Sequence, residues 1–307
     1  MSKNCPIMQR MKNNYENRSK TFLTRKVPVI VRLDGKAFHT YTKGLDKPFD
    51  EGLIEDMQKT AIFLCENIQG AKCAYTQSDE ISILLTDYDK LTTEAWFNYN
   101  VQKMTSVSAS LSTGIFNQQR ALKFFRSLRK DRLLDELLVN ANLGVLANFD
   151  SRVFSIPKDD VNNYFLARQR DAEKNSIAML AQSLYSHKEL HLKNGSDMQE
   201  MCWQKGHNWN DLHFSKKRGS LVVKNTYVND ILEDTSNKSP SVGDIWYQPN
   251  EESVFYPDKR GRLLTYSSVD ALWEFDWCDT KIESVRTKWE VVETPIFSQD
   301  KIIEDLI

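Results

Sequence analysis

The chain has 307 residues, 40% apolar and 27% charged, the make-up of an ordinary soluble globular protein with room for one large domain or two smaller ones. Its 41 basic and 42 acidic residues nearly cancel, which excludes a global field for nucleic acid and leaves only local patches for that role. Five cysteines (Cys5, Cys65, Cys73, Cys202, Cys278) form no CxxC pair, and no apolar run reaches membrane-spanning length. With a polar first fifteen residues in place of a signal peptide, this reads as an intracellular, cytoplasmic protein with reduced thiols.

In chain order, Met8, Met11 and Tyr15 among charges predict a short amphipathic helix over 8–20. The apolar run Val27 to Leu33 predicts a strand ended by Asp34-Gly35, followed by a loop from Lys36 to Phe49. Asp50 can cap a helix running to about Asn67, with Leu53, Ile54, Met57, Ala61 and Leu64 along one stripe. Two strand-like runs, Ala71–Tyr75 and Ile81–Leu85, flank a polar turn and predict a hairpin over 71–86, with Asp79 and Glu80 side by side at its tip. Thr93 is the expected cap of a helix through Trp96, Met104 and Phe116, whose small residues suit close packing on a sheet.

Residues 118–140 predict a basic amphipathic helix on which Arg120, Lys123, Arg126, Arg129, Lys130 and Arg132 recur at helical spacing. Such a row is either a phosphate-contact surface or a solvated face, and spacing leaves both open. Val145–Phe149 and Val153–Ile156 read as strands around Asp150-Ser151-Arg152, and Asp159 or Asp160 opens a helix to about Leu184. A short helix over 196–205 and a strand from Ser220 to Tyr227, preceded by Lys216-Lys217-Arg218-Gly219, follow. The Asp-, Ser- and Pro-rich stretch 230–265 reads as an insert or mobile loop; Trp273, Trp277 and Trp289 in the tail read as packing residues, with base stacking the alternative.

If the hairpin pairs beside the first strand, Asp34 and Asp79 meet at one end of a sheet, an arrangement suited to divalent cations around a nucleotide. Gly35 lets a main-chain carbonyl turn toward the same point. Asp-Gly and Asp-Glu are also common, merely solvated turn dipeptides, so the residues alone leave both readings standing. His187 and His191, one helical turn apart, find no further ligand at zinc spacing and read as a surface pair. Cys65 and Cys73 read as core thiols, and His39 as either a phosphate or proton-transfer partner or a core histidine.

Taken together, an ordered set of motifs over about residues 5–228 resembles the tRNA-His guanylyltransferase superfamily. The set comprises Arg32-Leu33-Asp34-Gly35 with Phe38-His39, Gln77-Ser78-Asp79-Glu80-Ile81-Ser82, Lys103-Met104-Thr105-Ser106, Phe149-Asp150-Ser151-Arg152, Arg168-Gln169 and Lys217-Arg218-Gly219. The resemblance implies an α+β, polymerase-like palm domain: an antiparallel sheet with helices on one face, followed by a helical and C-terminal extension. It implies a catalytic part over 1–140, the remainder of the core with RNA- and nucleotide-contacting helices over 141–229, and an extension over 230–307.

By the same resemblance, Asp34, Asp79 and the Gly35 carbonyl would hold two Mg²⁺ ions, with Glu80 supporting catalysis beside them. Ala37, Phe38, His39, Lys47, Ser78 and Lys103 would contact the nucleotide, ATP or GTP. Arg120, Lys123, Arg126, Arg129, Lys130, Arg152, Arg168, Asn175, Lys217 and Arg218 would contact tRNA or a tRNA-like RNA. A homotetramer is implied as well. Where eukaryotic members carry His-Ile-Asn-Asn, this chain reads Glu173-Lys174-Asn175-Ser176, which directs the expectation to the Thg-like branch and template-dependent 5′-end repair over tRNA-His-specific G−1 addition. A nucleotide cyclase and an RNA-binding module with an idle palm are the readings from other classes.

Overall fold

The computed structural model describes residues 5–128, 146–230, 254–257, 263–266, 283–298 and 303. Helix α1 (Pro6–Met11) continues through a π turn, Lys12–Glu16, and a 3-10 turn, Asn17–Ser19. All of these residues are exposed, so the expected amphipathic helix buries no face among the described residues. Strand β1 (Val29–Gly35) leads through the four-residue helix α2 (Phe38–Tyr41) to α3 (Glu51–Asn67). Asp50 caps α3 as its side chain accepts from the Leu53 amide at 2.6 Å. The hairpin β2 (Ala71–Gln77) and β3 (Glu80–Leu85) follows.

The next helix departs from expectation. Thr93 caps nothing here; its hydroxyl accepts from the Lys90 amide. A 3-10 turn at Trp96–Tyr99 intervenes, in which Phe97, Asn98 and Tyr99 all adopt left-handed backbone. Asn100 then caps α4 (Val101–Leu128), accepting from the Lys103 amide at 3.0 Å. Strand β4 (Phe149–Ser155) is continuous through Asp150–Arg152, where two strands around a break were expected, because the segment pairs residue by residue with β1. Helices α5 (Val161–Leu184), α6 (Gly195–Gln204) and α7 (Phe214–Lys217) precede β5 (Ser220–Asp230). Strands β6 (Val254–Pro257), β7 (Leu263–Tyr266) and β8 (Glu283–Val292) complete the described elements.

The sheet runs β4-β1-β3-β2-β5-β8, antiparallel at β4–β1, β1–β3, β3–β2 and β2–β5. Both faces are covered, which corrects the expectation of helices on one face only. Val29, Val31, Leu33, Ile81 and Ile83 pack with Met57, Ala61 and Leu64 of α3 and with Met104 and Phe116 of α4. Ile30, Cys73, Tyr75 and Leu84 of alternate parity pack with Val161 and Phe165 of α5 and with Phe297. A strand apolar at both parities can only be satisfied by cover on both sides.

Residues 1–225 and 288–307 form one compact unit and 226–287 a second. Within the second, β6 and β7 pair antiparallel from Val254↔Tyr266 to Pro257↔Leu263, inside the stretch expected to be an insert loop. Arg129, Lys130, Arg132, Trp273, Trp277 and most of 230–265 lie outside the described residues.

Candidate active site

The site grows from the place where β1 runs out. Asp34 faces Glu80 on one neighbouring strand and Asp150 on the other. The Gly35 amide donates to the Asp79 carbonyl at 3.0 Å, which ties the end of β1 to the hairpin turn. That turn is Ser78-Asp79. Ser78 has φ of 50°, a left-handed conformation that costs an L-residue about 1–2 kcal/mol. The Ser78 hydroxyl donates to Asp79 Oδ1 at 3.0 Å. Burial, and then the charge of Asp34, push the Asp79 carboxyl above its ordinary range. Two carboxylates converging at a desolvated turn repel each other until a cation joins them.

Glu80 is not at the tip with Asp79. It opens β3, buried, with Oε2 at 2.6 Å from Arg32 Nη2 and 3.1 Å from Arg168 Nη1. The Ser82 hydroxyl donates to its other oxygen at 3.3 Å and lies 2.8 Å from the Tyr164 hydroxyl. Its charge is thereby matched by guanidiniums from β1 and α5. On the other side, Arg152 Nη2 lies 3.8 Å from Asp34 and 3.5 Å from Asp150.

Two cavities adjoin, sharing Thr42, Leu53 and Ser78 as walls. The larger, about 400 Å³, is lined by Gly35, Ala37, Phe38, His39 and Asp79. Ala37, which precedes α2, is in left-handed backbone, φ 54°, and lines this cavity. The smaller, about 210 Å³, lies between the loop Thr42–Asp50 and a wall from α5 and α7 that includes Asn175, Met179, Lys216 and Lys217.

The structure therefore brings Gly35, Ala37, Phe38, His39, Lys47, Ser78, Asp79, Asn175 and Lys217 to one cleft. Lys103 lines neither cavity; its ammonium lies 5.8 Å from the Phe97 ring centre at the start of α4. Arg120 and Lys123 face carboxylates of α3: Arg120 Nε is 2.8 Å and Lys123 Nζ 2.6 Å from the fully buried Asp56. Arg126 lies on α4. The Arg218 carbonyl accepts from the buried Tyr75 hydroxyl. Asp46, Phe49 and Met179 are cavity residues that the motif reading passed over; Lys216, singled out ahead of β5, lines the same cavity. The Gly- and Pro-bearing loop between α2 and α3 was the available signal for the first two.

Among the described residues, no group of three or more His, Cys, Asp or Glu side chains converges as a metal cage. Asp34 and Asp79 with the Gly35 carbonyl are a donor set of two carboxylates and one main-chain oxygen. Mg²⁺ is characteristically held by one or two carboxylates together with substrate phosphates, so this set fits it and needs a nucleotide to complete it.

An antiparallel sheet covered on both faces, with the turn Ser78-Asp79 in the wall of a cleft, defines the class of fold. The family model described as tRNAHis guanylyltransferase matches residues 8–157. A bacterial tRNA(His) guanylyltransferase (Thg1)-like protein solved with GTP is 37% identical over 98% of this chain and 99% of that one, TM-score 0.66. One solved with ATP is 48% identical over 71% of this chain and 88% of its own, TM-score 0.63. A probable tRNA(His) guanylyltransferase of Drosophila melanogaster is 24% identical over 65% of this chain and 68% of its own length. The chain belongs to the tRNA(His) guanylyltransferase family and is a nucleotidyltransferase. No helix among the described residues is long and apolar enough to cross a membrane.

Proposed function

We propose that the protein adds nucleotides in the 3′→5′ direction to the 5′ end of tRNA or a tRNA-like RNA, as template-dependent 5′-end repair. The observation that carries this reading is the Asp79 carboxylate, under the charge of Asp34, in the wall of the cleft lined by Gly35 and Ala37–His39. In a first step the RNA 5′-monophosphate attacks the α-phosphate of ATP or GTP and pyrophosphate leaves. In a second, the 3′-hydroxyl of an incoming nucleotide attacks the activated 5′ phosphate and the nucleoside monophosphate leaves. Both are in-line displacements in which charge builds on phosphoryl oxygens. Mg²⁺ bound by Asp34, Asp79 and the Gly35 carbonyl would supply charge neutralisation to both.

The chain's own residues have assigned parts. Backbone amides of Ala37–His39, with Ser78 and Lys47, hold the triphosphate. Glu80 fixes the hairpin through Arg32 and Arg168. Asn175 and Lys217 border the smaller cavity, where the base would lie. Repair is preferred to G−1 addition because Glu173-Lys174-Asn175-Ser176 occupies the place of the His-Ile-Asn-Asn run, and because the more similar solved structures are bacterial Thg1-like proteins. The names of the curated relatives favour the second reading, G−1 addition to tRNA-His.

The test is a 5′-extension assay. A 5′-monophosphorylated tRNA lacking its first nucleotide, and a full-length tRNA-His, are each incubated with Mg²⁺, ATP and labelled GTP. Label entering the truncated tRNA only opposite a complementary base establishes repair. Label entering full-length tRNA-His alone establishes G−1 addition instead, and no label in either overturns both. Homotetramer assembly is proposed on the same resemblance, and light scattering of the protein in solution tests it.

A further inference from the structure

We propose that Ser176 is a positioning residue for the nucleotide: its hydroxyl holds the lysine-bearing wall of the smaller cavity against α5. This rests on that cavity's being part of the nucleotide site proposed above. Helix α7 supplies Ser215, Lys216 and Lys217 to the cavity, and α5 supplies Asn175, Ser176 and Met179. The bonds of α7 run from the Lys216 and Lys217 amides to the His213 carbonyl, at 3.0 and 3.3 Å, and from the Arg218 amide to the Phe214 carbonyl at 2.8 Å. A single turn of this length does not hold itself in water, so its place depends on what it is fastened to.

Ser176 is 4% exposed, on the buried stripe of α5 with Ala172 and Leu180. A hydroxyl so placed must find partners for both its proton and its oxygen. Its Oγ donates to the Lys216 carbonyl at 2.6 Å and accepts from Trp209 Nε1 at 2.8 Å. The Lys216 carbonyl is one of the last in α7, a group that the helix itself cannot satisfy. Trp209 in turn lies against Lys217, whose ammonium is 5.9 Å from the ring centre and donates to the Asn210 carbonyl at 2.5 Å. One hydroxyl therefore places both the main chain of Lys216 and the ring beside Lys217. The Lys216 side chain is a weaker anchor: Nζ reaches Glu51 Oε1 at 2.7 Å, but the Glu51 side chain is 82% exposed, and water screens such a pair.

Ser176→Ala removes both bonds and little volume. The Arg218 carbonyl keeps its bond from the Tyr75 hydroxyl, so β5 should stay in place while α7 loosens. The experiment uses the full chain as wild type, Ser176→Ala and Ser176→Thr. It measures GTP binding without RNA, amide exchange over 214–218, melting temperature and tRNA affinity. In the alanine variant the nucleotide must re-order the wall that it binds, at a cost no greater than the hydrogen bond that held it. The expected GTP affinity is about fivefold weaker, equal to about 1 kcal/mol. Amide exchange should be faster within 214–218, KM for GTP should rise with kcat retained, and tRNA affinity should not change. Ser176→Thr, which keeps the hydroxyl, should recover both GTP affinity and slow exchange.

A melting shift with unchanged GTP affinity overturns the proposal, since a serine that only supports the fold would do that. Equal loss of GTP affinity in the threonine and alanine variants overturns it as well, because the hydroxyl is then not what acts. Loss of tRNA affinity with unchanged GTP affinity overturns it too and assigns the wall to RNA. In the wild type, GTP should slow amide exchange at 216–218. If GTP leaves those amides unchanged, the proposal falls whether or not Ser176→Ala folds. Wild type that binds no GTP overturns the nucleotide reading itself; equal binding by wild type and Ser176→Ala overturns only the role of Ser176.

Discussion

Arg32 on β1 and Glu80 on β3 form a 2.6 Å ion pair diagonally across two strands, directly beneath the turn that carries Asp79. Arg168 of α5 adds a second guanidinium at 3.1 Å, so the same carboxylate binds a strand and the helix on the sheet's second face to the start of β3.

Removing that carboxylate leaves two guanidiniums facing each other in a largely desolvated place. Glu80→Ala should lower unfolding free energy by about 2–3 kcal/mol, less than for a fully buried pair because both arginines keep some exposure. Urea unfolding followed by circular dichroism measures it. A loss below about 0.5 kcal/mol, the level of a solvated pair, would show that Glu80 does not join the strands to α5.

The neighbouring carboxylate should behave in the opposite way. Asp79 is desolvated and repelled by Asp34, so its charge opposes folding in the absence of a cation. Asp79→Asn should raise the melting temperature in EDTA by about 2 °C while abolishing nucleotide addition. Adding Mg²⁺ and GTP should reverse the order, because only the wild type gains binding free energy. Equal melting temperatures in EDTA together with full activity would remove Asp79 from the site.

These two residues also mark how far the sequence could be read. The hairpin and the Asp34-Gly35 strand end were legible because period-2 alternation and turn chemistry are local signals. The division of labour between Asp79 and Glu80 was not. Adjacent acids in a turn look alike until register assigns one to the tip and the other to Arg32 and Arg168. Cover on both faces of the sheet was written in Val29-Ile30-Val31, apolar at both parities, but which helix would supply the second face depends on contacts far along the chain. Arg120 and Lys123 recur at helical spacing whether they face solvent or Asp56, and that partner belongs to another helix. The loop Thr42–Phe49 has no periodic signal, so its role as a cavity wall emerges only in three dimensions.

Gly35 tests the close packing beneath the cleft. A β-carbon there would lie 2.3 Å from Cδ2 of Phe38. The Phe38 ring cannot swing aside, because its centre lies 5.1 Å from Tyr41, 5.7 Å from Phe116 and 5.2 Å from Phe149. Gly35→Ala should therefore cost about 1–3 kcal/mol by overpacking and should depress nucleotide addition by displacing Ala37–His39. Adding Phe38→Leu should recover part of the lost stability. If that second change makes matters additively worse, the clash is not what the alanine introduces.

Glu55 gives a pH test of the α3–α4 contact. Lys123, at 2.7 Å, and Lys59, one helical turn away at 2.6 Å, hold its carboxyl down at about 2 from an ordinary 4.5. A carboxyl depressed by folding stabilises the protein above its unfolded pKa, and that contribution disappears as pH falls through the folded value. The window is therefore from 4.5 down to about 2. Half-exposure and solvent screening reduce the effect to about 0.5 kcal/mol. Glu55→Gln should be less stable than wild type by that amount at about pH 7 and about equal to it near pH 2, with the gap narrowing in high salt. Urea midpoints of both proteins across this range measure it. A gap that does not change with pH would mean that the glutamate acts through packing or helix propensity and not through its charge.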